Sequence, residues 1–105
     1  MEKRGTIYKL YPKQLIISPD VREEEESSIA FTKFVVACLD HHLAGEWGDV
    51  RPIIAHDNNL ALEKDEGWVD SYYRYRGNDH HSDIIITTKF SNETTYIMRP
   101  ETVES

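Results

Sequence analysis

One hundred and five residues, 39% of them hydrophobic and 10% aromatic, describe one folded domain rather than a disordered acidic tail. The formal charge is −7. Seven acids (Glu46, Asp49, Asp57, Glu63, Asp65, Glu66, Asp70) and two bases (Arg51, Lys64) put −5 of it between residues 46 and 70, so no direct nucleic-acid binding is expected, while a basic protein surface could be met or the chain simply kept in solution.

Taken in chain order, "KQLIIS" (13–18) reads as a short strand that stops at Ser18-Pro19. Serine suits an N-cap, proline the first helical position, and Asp20 the positive end of the helix dipole. "PDVREEEE" then gives one or two exposed turns, shortened by repulsion among four consecutive glutamates. Ser27 or Ser28 restarts the helix. From there Phe31, Phe34, Val35, Cys38, Leu39 and His42 recur at helical spacing and form one apolar stripe, with His41 pointing elsewhere. Gly45 is placed to end that helix.

A further helix is predicted from about Pro52 to Lys64, with Asp49 or Val50 near its start and Gly67 after its end. The period then changes to two. "WVDSYYRY" (68–75), "DIIITTKF" (83–90) and "TTYIMR" (94–99) read as strands, the middle one apolar on both faces and therefore central. "RGNDHHS" (76–82) and "SNE" (91–93) are the turns. The expected fold is α+β: a short N-terminal strand and two or three helices, followed by a small antiparallel meander, all in one domain spanning 1–105.

The single cysteine, Cys38, allows no internal disulfide and fits a reducing compartment. The charged start "MEKRGTIYKLYPKQ" lacks the apolar core of a signal peptide, and no apolar run nears the roughly 20 residues needed to span a bilayer. A cytoplasmic protein without a membrane partner is the expectation.

The string His42-x-x-Gly45-Glu46-Trp47-Gly48-Asp49 carries a resemblance. It is similar to the H-x-x-G-D-W-G-D signature of a family of small, largely uncharacterised bacterial proteins carried on plasmids and other mobile elements, some labelled from their genomic neighbourhood as type I restriction–modification subunits. The family's other elements have counterparts in the same order: Ile17-Ser18-Pro19-Asp20, then Asn58 with Ala61 and Leu62, then Gly67, Ser71 and Tyr73, then Ile85-Ile86-Thr87, and Thr94-Thr95 through Pro100-Glu101. Glu46 departs from the usual aspartate, the acidic-Arg-Ser turn before the last strand reads "FSNE", and Arg99 is an added residue before Pro100. The resemblance implies a fold and a mobile-element setting. It does not imply methyl transfer, for which the chain has neither a glycine-rich loop nor an Asn/Asp-Pro-Pro-Tyr/Phe type motif.

Three candidate sites follow from the residues. "DHH" (40–42), "HDNN" (56–59) and "NDHH" (78–81) supply five imidazoles, from which His56, His80 and His81 with nearby carboxylates could hold a divalent metal for hydrolysis. Against this, adjacent histidines on a helix diverge by about 100° and no HExxH-type spacing is present. Tyr72, Tyr73 and Tyr75 interleave with Arg74 and Arg76, a pattern that cross-strand packing explains more simply than a single-strand nucleic-acid platform does. Nucleophilic catalysis finds no elbow-type serine, and Cys38 lies on the apolar stripe.

The third candidate is Trp47 and its surroundings. His42, Gly45, Trp47, Gly48 and Asp49 read first as a structural corner, with two glycines turning the backbone around a large ring and Asp49 capping the next helix. Glu46, Trp47, Asp49, Glu66 and Asp70 read as a partner-binding face if the ring is exposed. The expected function is a non-enzymatic accessory protein of a mobile element, needing no cofactor. It would bind a protein with a basic surface and act against host defence such as a restriction or CRISPR complex. A metal-dependent enzyme is the alternative, and a homodimer is open if the last strand leaves a free edge.

Overall fold

Period-two patterning over the second half of the chain builds the sheet, and the apolar stripe of the first half covers it. The structure is a computed structural model and describes residues 7–75 and 83–100. Its elements in order are β1 (Gln14–Ile17), α1 (Pro19–Ser27), α2 (Ile29–Leu43), α3 (Pro52–Lys64), β2 (Trp68–Tyr73), β3 (Ile84–Lys89) and β4 (Thr94–Met98), an α+β arrangement.

The expected meander holds for β2, β3 and β4, which pair antiparallel. The first strand corrects the rest of that expectation. β1 lies parallel to β4, Gln14 opposite Thr94 and Ile17 opposite Ile97, so the sheet is mixed with order β1-β4-β3-β2. A parallel neighbour needs a long crossover, and the three helices and two strands between β1 and β4 supply it. The last strand is therefore interior, and β1 and β2 are the outer strands. β3 is interior too, as its three isoleucines require.

Alternation sorts the strands into two faces. Val69, Tyr73, Ile84, Ile86 and Ile97 lie under the helices, in two clusters. One joins Val21 of α1 and Phe31, Val35 and Cys38 of α2 to Tyr73, Ile84, Ile86 and Ile97. The other joins Leu10, Trp47 and Val69, with Leu43, Val50, Ala61, Leu62 and Phe90 packed against them. On the opposite face Tyr72, Ile85 and Met98 form one cross-strand row, and Asp70, Thr87, Tyr96 and Ile16 the next.

Helix α2 shows why its sequence stops where it does. Ser28 caps it, its hydroxyl accepting from the Phe31 amide at 3.1 Å. At the other end Gly45 takes a left-handed φ of 81°, which lets its amide reach the His42 carbonyl (3.0 Å) and the Glu46 amide reach that of His41 (2.9 Å). This paired closure of the last carbonyls needs a residue without a Cβ penalty. α1 begins at Pro19, but the Ser18 hydroxyl donates to Asp20 instead of capping the helix. Arg99, beyond β4, pairs with Asp20 and Glu24 and so fastens α1 to the sheet. Among the described residues no helix is long and apolar enough to cross a membrane.

Candidate functional site

Two features dominate the region around the α2–α3 turn: a sealed polar network beneath it and an acidic, aromatic rim beside it. The network centres on His42, which is fully buried at the end of the apolar stripe. Its Nδ1 lies 2.6 Å from Ser71 Oγ and its Nε2 2.8 Å from Thr88 Oγ1, which in turn lies 2.7 Å from Thr95 Oγ1. Burial pushes the imidazole down to about 3, from an ordinary value of 6.5. The ring is therefore neutral at physiological pH, and each ring nitrogen finds a hydroxyl able to donate or accept.

A histidine beside a serine resembles a nucleophile and its base. Here the serine is buried too, the ring's two nitrogens face the Ser71 and Thr88 hydroxyls with no carboxylate among the described residues bonded to them, and the depressed basicity suits a fixed structural group better than a proton acceptor. Cys38 is likewise enclosed, and burial pushes its thiol up to about 12, far from a reactive thiolate.

Trp47 is only 6% exposed. Its ring stands edge-on to His42 with centroids 5.7 Å apart, and its indole N–H donates to Asn59 Oδ1 at 3.0 Å. As a member of the expected docking set it is corrected by this burial: the ring anchors the second core cluster and is not offered to a partner. Gly48 lets the backbone pass through this tight corner. Its φ is 77°, and a Cβ there would meet the Tyr72 carbonyl oxygen at 2.3 Å and the Tyr73 ring at 2.6 Å.

Asp49 also differs from its expected role. α3 is preceded by Arg51 at the capping position, without a side-chain cap. Asp49 is instead stitched to the outer edge of β2. Its amide donates to the Tyr72 carbonyl (2.6 Å), its carboxylate accepts from the Arg74 amide (3.2 Å), and the Tyr72 amide donates to the Trp47 carbonyl (3.2 Å). One step further along, the buried Asn58 side chain donates to the Asp70 carbonyl (2.7 Å) and accepts from its amide (3.0 Å). Asn58 thus substitutes for a neighbouring strand. Tyr73 locks the same corner by donating its hydroxyl to the Glu46 carbonyl at 2.5 Å.

The acidic residues lie along this closed edge. Glu46 is exposed and 2.5 Å from His41 Nδ1, Asp49 and Glu66 are exposed, and Asp70 is half-buried with its carboxylate accepting from the Thr87 hydroxyl at 2.6 Å. Asp57, Glu66 and Asp70 line a shallow groove together with Ile54, Asn58 and Trp68. Trp68 is 59% exposed and also borders a second groove with Thr87, Lys89 and Ser91. Of the two tryptophans, the exposed one is therefore Trp68, twenty-one positions along the chain from the buried Trp47. Its signal was present: it is the first residue after Gly67, on the strand position out of phase with the buried Val69.

His56, on α3, is exposed, and His80 and His81 lie outside the described residues. Among the described residues no group of three or more His, Cys, Asp or Glu side chains is arranged to hold a metal ion. The hydroxyl partners of His42 were not foreseen; Ser71, Thr88 and Thr95 carry a common signal, small hydroxyl residues on the buried phase of three successive strands. Compared with known proteins, the chain matches no family model, no curated protein and no solved structure.

Proposed function

We propose that this protein is a non-enzymatic binding module whose acidic, aromatic rim along β2 engages a basic surface on another protein. The observation that carries the reading is the exposed Trp68 ring set among Asp57, Glu66 and Asp70. A large ring held on a strand adds apolar contact area at little entropic cost, and surrounding carboxylates select a cationic partner and speed encounter. Glu46 and Asp49 extend the same charge along the α2–α3 turn. In the mobile-element setting that the family resemblance implies, the partner is a host-defence complex, such as a restriction or CRISPR assembly, whose nucleic-acid groove is basic.

The test is affinity capture from a bacterial lysate at low and moderate salt, followed by mass spectrometry. A stoichiometric basic partner should be retained at low salt and released as salt rises. Trp68→Ala, or Asp57→Lys combined with Glu66→Lys, should abolish capture, whereas Glu23→Lys with Glu26→Lys on α1 should not. Equal capture by all of these variants would sink the proposal, and stoichiometric zinc or manganese in the purified protein would move the weight to metal chemistry.

A further inference from the structure

The chain treats the two edges of its sheet differently. The β2 edge is occupied by Trp47, Asp49 and Asn58, which use the backbone groups of Asp70, Tyr72 and Arg74. Among the described residues the β1 edge has no such cover. Gln14 donates its amide to Glu93 and Ser18 to Ile97, so the groups facing β4 are those of residues 14, 16 and 18. Leu15 and Ile17 consequently turn their N–H and C=O away from the sheet. Among the described residues nothing bonds to them.

The side chains at this edge are apolar and open. Leu15 is 46% and Ile16 49% exposed, and Tyr11 and Ile7 on the approach are more exposed still. Between Gln14 and Ile17 there is neither a charge nor a proline, two devices by which sheet edges discourage pairing.

We propose that a second copy of this chain covers this edge, with β1 antiparallel to the partner's β1 about a two-fold axis, so that the two four-stranded sheets join. Register and charge both favour a copy of the chain itself. The outward groups of Leu15 meet those of the partner's Ile17, and by symmetry Ile17 meets the partner's Leu15. That leaves Ile16 facing Ile16 of the partner subunit on the axis, in a pair without mutual hydrogen bonds. Lys9 and Lys13 precede β1, whereas Asp20 and Glu23 through Glu26, with Arg22, follow it. Antiparallel pairing brings each basic approach beside the other copy's acidic α1; parallel pairing would set like beside like. The dimer rests on β1 alone and stands independently of the acidic rim on β2.

Opposed residues without mutual hydrogen bonds have Cα atoms about 4.5 Å apart, within the reach of a disulfide. In the intact chain, Ile16→Cys should therefore cross-link to a covalent dimer under mild oxidation. Val36→Cys, at an equally open position on α2, should remain monomeric on denaturing gels, and the buried native Cys38 provides no competing thiol. Sedimentation velocity of the wild-type chain should show a dimer. Leu15→Pro should convert it to a monomer with unchanged far-UV circular dichroism, because that amide takes no part in the β1–β4 ladder. A wild-type monomer at every concentration, cross-linking at residue 16 no faster than at residue 36, or a folded Leu15→Pro dimer would each overturn the proposal.

Discussion

Acid should destabilise this protein through one buried histidine. In the folded chain His42 is enclosed by Ser71, Thr88 and Trp47 and held at about 3, against 6.5 for a free imidazole. The unfolded chain therefore takes up a proton near pH 6.5 that the folded chain refuses until far lower. With the folded value depressed, the contribution to stability is complete above the unfolded value and is lost as pH falls from there toward the folded one. Each pH unit in that window is worth 1.36 kcal/mol, so lowering the pH from ~7.5 to ~5 removes about 2 kcal/mol. A change of one unit in the folded value barely alters this figure, because pH 5 stays above it. For a small domain the loss is a sizeable part of the whole stability. The assay is urea unfolding of wild type and His42→Gln at both pH values, read as free energies with unchanged m-values. Glutamine keeps hydrogen-bonding groups but cannot titrate, and groups common to both proteins cancel in the comparison. Wild type should lose about 2 kcal/mol more than the variant. Equal losses would refute the assignment of a neutral, proton-excluding His42.

Three other outcomes are expected. Gly48→Ala should cost about 3 kcal/mol or more in chemical denaturation, because backbone and ring both obstruct the new methyl, whereas Gly67→Ala, with open space around it, should cost only about 1 kcal/mol for its left-handed φ. Asn58→Leu should destabilise by roughly 2–4 kcal/mol, since it leaves the Asp70 amide and carbonyl without their partner, and amide hydrogen exchange at Asp70 should accelerate. Acrylamide should quench Trp68 strongly and Trp47 weakly, so Trp68→Phe should leave a shielded emission and Trp47→Phe a quenchable one.

The helices were legible because their signals are local. The stripe from Phe31 to His42, the stop at Gly45 and the span Pro52–Lys64 need only spacing and caps to be read. The strands were legible for the same reason, down to the central position of the three isoleucines. What could not be read depends on which distant segments meet. Nothing in "QLII" says that it will lie parallel to the last strand, because pairing across eighty positions leaves no local mark. The corner at residues 42–49 was legible as a structural signature, but not its purpose, since the partner of Asp49 is the backbone of β2 and not the helix that follows it. The two tryptophans show the same limit. Each stands near a glycine and an acid in the sequence, and only the packing of Leu10, Val69 and Phe90 decides that Trp47 goes in while Trp68 stays out.

The parallel pairing of β1 with β4 has a consequence for how the chain assembles itself. The hairpin of β3 and β4 closes over a short turn and can form on a microsecond scale, but the seam with β1 must wait for a contact between residues 14 and 94. During synthesis the strand made first remains without its neighbour until the strand made last has left the ribosome. The apolar "LII" thus stays without its sheet partner in a nascent chain for as long as β4 is missing. Pulsed hydrogen exchange should find the amides of Ile16 and Ser18 protected last on refolding, after those of β3.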